Sequence, residues 1–193
     1  MRPITTTYTD PLDLVWLHAA ERMGMRVERS AEVNASWDGA GVLTIGTPET
    51  LDPDDCLAQM ILHEACHALV EGPESLGKLD WGLRNEPDAA VHEHAALRLQ
   101  AALADRHGLR AFFASTTVFR AYYDTLPAEP LTPSPLDGDD DPAIPMARAA
   151  WQRTHAGAWA EPLEEALART AQIAAALRGV ACEDSLWSLP AAP

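Results

Sequence analysis

Residues Asp52 to Glu71 constrain the fold more than any other part of the chain. Leu57, Met60, Ile61, Ala65, Ala68 and Leu69 recur at helical spacing and give an apolar surface too wide for a helix lying on solvent. Asp52 reads as the N-cap, Pro53 as a first-turn residue, and Asp54 and Asp55 complement the positive end of the helix dipole. Gly72-Pro73 stops the helix. A helix buried on this scale needs other elements packed round it. It also carries His63-Glu64-Ala65-Cys66-His67, an HExxH string.

Two histidines and a glutamate are costly to bury without partners. Imidazoles four residues apart stand one above the other on a helix face, so His63 and His67 can reach one metal ion. Glu64 projects beside that ion, where a carboxylate can take a proton from an activated water. A catalytic site then needs a third ligand and an open position.

The flanking sequence sets out the rest of the fold. Asp10-Pro11 opens a helix to about Met23, with Leu12, Val15, Trp16 and Ala19 on its apolar stripe and Gly24 ending it. Met25 to Arg29 and Ala31 to Trp37 contain short strands, Asp38 to Gly41 is a turn, and Val42 to Gly46 is a strand preceding the HExxH helix. That last strand is read either as an open edge that could pair with extended substrate or as an ordinary sheet strand. A second helix runs from Asn85 to about Arg106, closed by Gly108, and a third from Leu109 to Leu126. Met146 to His155 and Glu161 to Arg178 read as C-terminal helices.

These elements predict an α+β chain, mainly helical, with a small sheet before the HExxH helix. Residues 1–126 form the metal-binding domain and residues 146–193 a helical segment packing on it. Between them, residues 127–145 hold six prolines and the acidic run Asp137 to Asp141. That stretch lacks the spacing of a calcium loop and reads as a solvated loop or linker.

The third ligand is sought on the second helix. The neighbours of Glu93 one turn away are Ala89, Ala90, Ala96 and Leu97, so its carboxylate stands alone on a small apolar face that a second helix can approach closely. Glu93 is therefore the preferred ligand. Glu86, nearly two turns earlier on the same face, and His92 stay open as alternatives, and His92 could instead steady a reaction intermediate. His92 has Asp88 and His94 has Arg98 among their neighbours, which predicts more solvent-facing positions. Cys66 reads as a small buried hydrophobe. Tyr122, Tyr123 and Arg84 are candidate oxyanion donors without a placement.

A net charge of −15, with no Lys/Arg stripe, argues against nucleic acid. No apolar run approaches the roughly eighteen residues a membrane span needs. The N-terminus lacks a secretory pattern, and three cysteines without disulfide spacing favour a reducing cytoplasm.

The HExxH helix followed by Glu93-His94-Ala95-Ala96 resembles the gluzincin branch of the zincin metallopeptidases; Glu86-Pro87-Asp88-Ala89 also fits the second pattern. The resemblance implies Zn²⁺ held by His63, His67 and Glu93, with Glu64 as general base toward a peptide or protein substrate. The aspartate that often follows that alanine is replaced by Leu97 or Ala90, which removes the usual bond to a ligand histidine. A looser resemblance joins His63 to Gly72 and Leu79-Asp80-Trp81-Gly82 to the bacterial elongation factor P hydroxylases. It implies Fe²⁺ at the same three residues and hydroxylation of a modified lysine. A non-catalytic metal-binding protein is the third reading. Asp80 and Trp81 are expected near the site, as support or substrate wall, or as a structural turn.

Overall fold

Thirteen of the fifteen residues of the HExxH helix are buried, and the rest of the chain is arranged round it. The computed structural model describes residues 5–83, 89–114, 119–133 and 141–188. Its elements are α1 (Pro11–Arg22), β1 (Arg26–Ser30), β2 (Ala35–Trp37), β3 (Val42–Gly46), α2 (Leu57–Glu71), α3 (Ala89–Asp105), α4 (Arg120–Asp124), α5 (Ala143–Arg153) and α6 (Ala160–Leu177). The chain is thus a mainly helical α+β fold with its sheet ahead of the HExxH helix. Among the described residues, no helix is long and apolar enough to cross a membrane.

The sheet order is β1-β3-β2, with β1 parallel and β2 antiparallel to β3. Leu43 and Ile45 of β3 are fully buried against the helices. The expectation that Val42 to Gly46 could be an open edge is therefore corrected. β3 is the central strand, and both its sides are already paired from Arg26↔Val42 to Ser30↔Gly46 and from Ala35↔Ile45 to Trp37↔Leu43.

Two helix expectations also change. α2 starts at Leu57, not near Asp52, because Asp52 to Asp55 close a turn through Asp55 N–H and the Asp52 carbonyl (2.9 Å). The cap is Cys56, whose N–H donates to Gln59 Oε1 at 2.6 Å, while Gln59 Nε2 donates to the Phe112 carbonyl at 2.7 Å. Leu109 to Leu126 is not one helix: 109–114 is a turn segment, and only Arg120–Asp124 is helical among the described residues. Phe112 and Phe113 are drawn into the core there.

α5 begins at Ala143, inside the proline-rich stretch. Asp141 Oδ1 accepts from the Ala143 N–H at 2.9 Å, and Pro145 falls in the first turn, where its missing N–H costs nothing. The run Asp137 to Asp140 lies outside the described residues. α5 packs on α3 and α2, and α6 on α1, where Trp16 Nε1 donates to Thr170 Oγ1 at 3.0 Å. Ala147, Ala150, Leu163 and Leu167 belong to the same core as Trp16 and Ile61. Arg153 closes the C-terminal end of α2 by donating from Nη1 to the Leu69 carbonyl (2.5 Å) and the Val70 carbonyl (3.2 Å).

Arg98, the neighbour that suggested a solvent-facing position for His94, itself faces the interior. It is fully buried, with Nε on Tyr122 Oη (2.6 Å), Nη1 on the Pro130 carbonyl (2.7 Å) and Nη2 on Asp141 (3.2 Å). His94 stacks on the same Tyr122 ring at 3.6 Å. Arg98 thus ties α3 to both ends of the proline-rich stretch. Arg98→Met leaves Asp141 without its cation and two carbonyls short of a donor. It is expected to destabilise the fold by about 3–5 kcal/mol, read from the urea midpoint.

Candidate metal centre

α2 presents His63 and His67 one turn apart, and α3 packs against that face with Glu93 opposite them. His63 Nε2 lies 3.2 Å from Glu93 Oε1, His67 Nε2 lies 3.1 Å from Glu93 Oε2, and the two ring nitrogens are 3.1 Å apart. Among the described residues this is the group whose His, Cys, Asp and Glu donors converge as metal ligands would. Ala96, fully buried in the core that α2 shares, lets the helices approach closely, whereas Leu97 packs in a second cluster with Tyr123 and Leu126. His63 and Glu93 keep 14% and 18% of their side chains exposed, against 6% for His67, so solvent reaches one side of the cluster.

The donor set fits a transition-metal ion. Three ligand atoms about 2.0–2.1 Å from one ion at tetrahedral angles stand roughly 3.3–3.4 Å apart. The two imidazole nitrogens stand near that spacing, and each meets a different oxygen of the Glu93 carboxylate at a similar distance. Two imidazoles and a carboxylate suit zinc in a hydrolase and equally the facial set of non-haem iron.

Gln100, seven residues after Glu93 on α3, orients the first ligand. Its Nε2 donates to the Phe113 carbonyl at 2.6 Å, which turns Oε1 toward His63 Nδ1 at 2.9 Å. Nδ1 therefore carries the hydrogen, and the Nε2 lone pair of the neutral ring faces the cluster. His67 has no such support among the described residues, where its buried Nδ1 has no hydrogen-bond partner. Leu97 stands where the gluzincin pattern has an aspartate. Gln100→Leu, which strands the His63 Nδ1–H, is expected to lower zinc affinity about 10–100-fold, measured by competition with a chromophoric chelator.

Electrostatics couple the three groups. Burial pulls the His63 pKa down, but the Glu93 carboxylate outweighs it, Glu64 and Gln100 add to the effect, and the imidazole titrates at about 9. Burial would raise the Glu93 pKa, yet His63 and His67 hold its carboxyl well below the usual range. A histidine raised from 6.5 contributes stability that is complete below pH 6.5 and lost as pH climbs through about 9. A carboxylate lowered from 4.5 contributes stability present above pH 4.5 and lost on acidification. The metal-free protein is expected to gain most from this pair between pH 4.5 and 6.5, with Tm falling toward pH 9. Zinc displaces the His63 proton, so binding at pH 7 should release about one proton per ion. Apparent affinity should rise about tenfold per pH unit below that pKa, and calorimetry in buffers of different ionisation enthalpy counts the protons.

Compared with known protein families, curated proteins and solved structures, the chain matches none.

Glu64 is buried beside the triad, and its Oε2 accepts from Trp81 Nε1 at 2.8 Å. Trp81 sits in the 3₁₀ turn Leu79–Gly82, where Asp80 (φ 45°, ψ 46°) and Trp81 (φ 57°, ψ 12°) are both left-handed. Such conformations cost on the order of 1–3 kcal/mol each in non-glycine residues. Asp80 Oδ1 accepts from Ser36 Oγ (2.9 Å) and the Trp37 N–H (3.1 Å), which fastens the turn to β2. The Trp37 and Trp81 rings stack at 4.5 Å and 7°.

Among the described alternatives, the structure separates His92 from the cluster; its Nδ1 lies 2.5 Å from Glu71 Oε1. Glu86 and Arg84 lie outside the described residues. Burial and the nearby Glu64 charge push the Cys66 thiol pKa well up, so it stays protonated and apolar. Tyr122 Oη is held by Arg98, and Tyr123 donates to the Arg110 carbonyl at 3.1 Å, so both phenols serve the packing of α3 and α4. Gln100, Ser36 and Trp37 were not singled out by the sequence. The one signal for Gln100 was its two-turn spacing from Glu93 on a helix already assigned to the site.

Proposed function

We propose that the chain is a zinc-dependent hydrolase of peptide or similar amide bonds. One observation carries the reading: His63, His67 and Glu93 converge within 3.2 Å of one another, with the carboxylate of Glu64 alongside. His63, His67 and Glu93 would hold the ion. When bound, it would lower the pKa of a water in its open position and polarise the substrate carbonyl. Glu64 takes the proton of the attacking water and returns it to the leaving amine. Gln100 keeps His63 in the tautomer that ligates. The buried carboxylate of Glu64 beside the triad supplies the general base that hydrolysis needs. Three free thiols accord with a cytoplasmic setting.

Protein purified without added metal should contain about one zinc per chain. It should cleave unstructured peptides in a mixed library, lose that activity to a chelator and recover it with Zn²⁺. Iron in the purified protein with oxygen consumption and no cleavage would replace this reading with the hydroxylase; zinc without any turnover would leave a binding protein.

A further inference from the structure

We infer that Trp81 is a positioning residue for Glu64, its indole N–H fixing one oxygen of the carboxylate so that the other is the proton acceptor. The role rests on the hydrolase reading; the contact does not. Trp81 is 2% exposed, and its Nε1 lies 2.8 Å from Glu64 Oε2. The indole hydrogen bond singles out Oε2, so the oxygens are inequivalent before any substrate arrives.

The backbone carrying the indole points the same way. Two consecutive non-glycine residues at positive φ persist only where their surroundings over-determine them, and such strain gathers at functional sites. Here Asp80 is clamped to β2 by two hydrogen bonds, Trp81 is stacked on Trp37, and Trp37 Nε1 donates to the Leu76 carbonyl at 2.9 Å. A phenylalanine would fill the same space and stack as well. What the indole adds is a buried donor that needs an acceptor, and the acceptor is the candidate base. A carboxylate held in one rotamer meets the attacking water without an orientational search.

Proton–nitrogen NMR of the metal-free protein tests the contact. The Trp81 indole cross-peak, assigned by through-bond correlation, is expected downfield of the other tryptophans and should move upfield in Glu64→Ala. A cross-peak that does not move overturns the inference. In the zinc-loaded protein, Trp81→Phe should lower kcat about tenfold or more, with KM and zinc affinity within about twofold of wild type; unchanged kcat also overturns it. Should Trp81→Phe not fold, Glu64→Ala still decides, because it removes the acceptor and leaves the turn intact. If the wild-type protein cleaves no peptide, the hydrolase reading fails by itself, and the cross-peak still decides whether the indole holds Glu64.

Discussion

Glu64→Gln is expected to lower kcat for peptide cleavage by about two to four orders of magnitude while zinc content stays at the wild-type level. Glutamine keeps the shape of the side chain and an oxygen able to accept from Trp81 Nε1, so the 2.8 Å contact and the packing of the strained turn survive. The proton acceptor does not survive. Glu64 lies outside the ligand triangle, so the ion keeps all three donors. Its negative charge helps to raise the His63 pKa, so the neutral variant should give up the His63 proton slightly more easily and bind zinc at least as well at pH 7. Peptide turnover and metal content measured on the same preparation separate the possibilities. Loss of zinc in Glu64→Gln would make Glu64 a ligand, and full activity would remove it from the chemistry.

Glu93→Ala should weaken zinc by more than the roughly 10–100-fold typical of losing an outer partner, because it removes a ligand and the only carboxylate in the triangle. A second signature appears without any metal. Glu93 is the main group raising His63 against the opposing pull of burial. Without it, the His63 pKa should fall, and the loss of stability between pH 6.5 and 9 should largely disappear from the variant's Tm profile. Chelator competition and thermal melts against pH read the two effects separately. Wild-type zinc affinity in Glu93→Ala would remove Glu93 from the site.

How much of this was legible in the sequence depended on how local the cause was. The i, i+4 spacing of His63 and His67 is enforced by helix geometry, and the small neighbours of Glu93 marked it as a place where a second helix could close in. α1 could be placed from Asp10, whose Oδ1 accepts from the Leu12 N–H at 2.8 Å, and from Pro11 at the first helical position. The start of α2 was misplaced because Asp52-Pro53 carries the same local signal, yet closes a turn while Gln59 anchors the helix to Phe112. Strand order was not legible at all: nothing in Val42 to Gly46 says that β1 and β2 will flank it. The solvent-facing reading of His94 leaned on its neighbour Arg98 for a related reason. A charge on a helix face predicts solvent until Tyr122 and Asp141 arrive from distant sequence to satisfy it. Trp81 stood within a recognisable string, but its contact with Glu64 depends on two left-handed residues, and their cost is met only by tertiary contacts with β2.

The central claim is that His63, His67 and Glu93 together hold one ion. X-ray absorption at the metal edge of protein purified without added metal tests it most directly. The account predicts a zinc edge whose shell comprises two imidazoles and light oxygen or nitrogen scatterers, without sulfur, and the loss of that signal in Glu93→Ala. A metal-free preparation that takes up no zinc, or a shell containing the Cys66 sulfur, would contradict it.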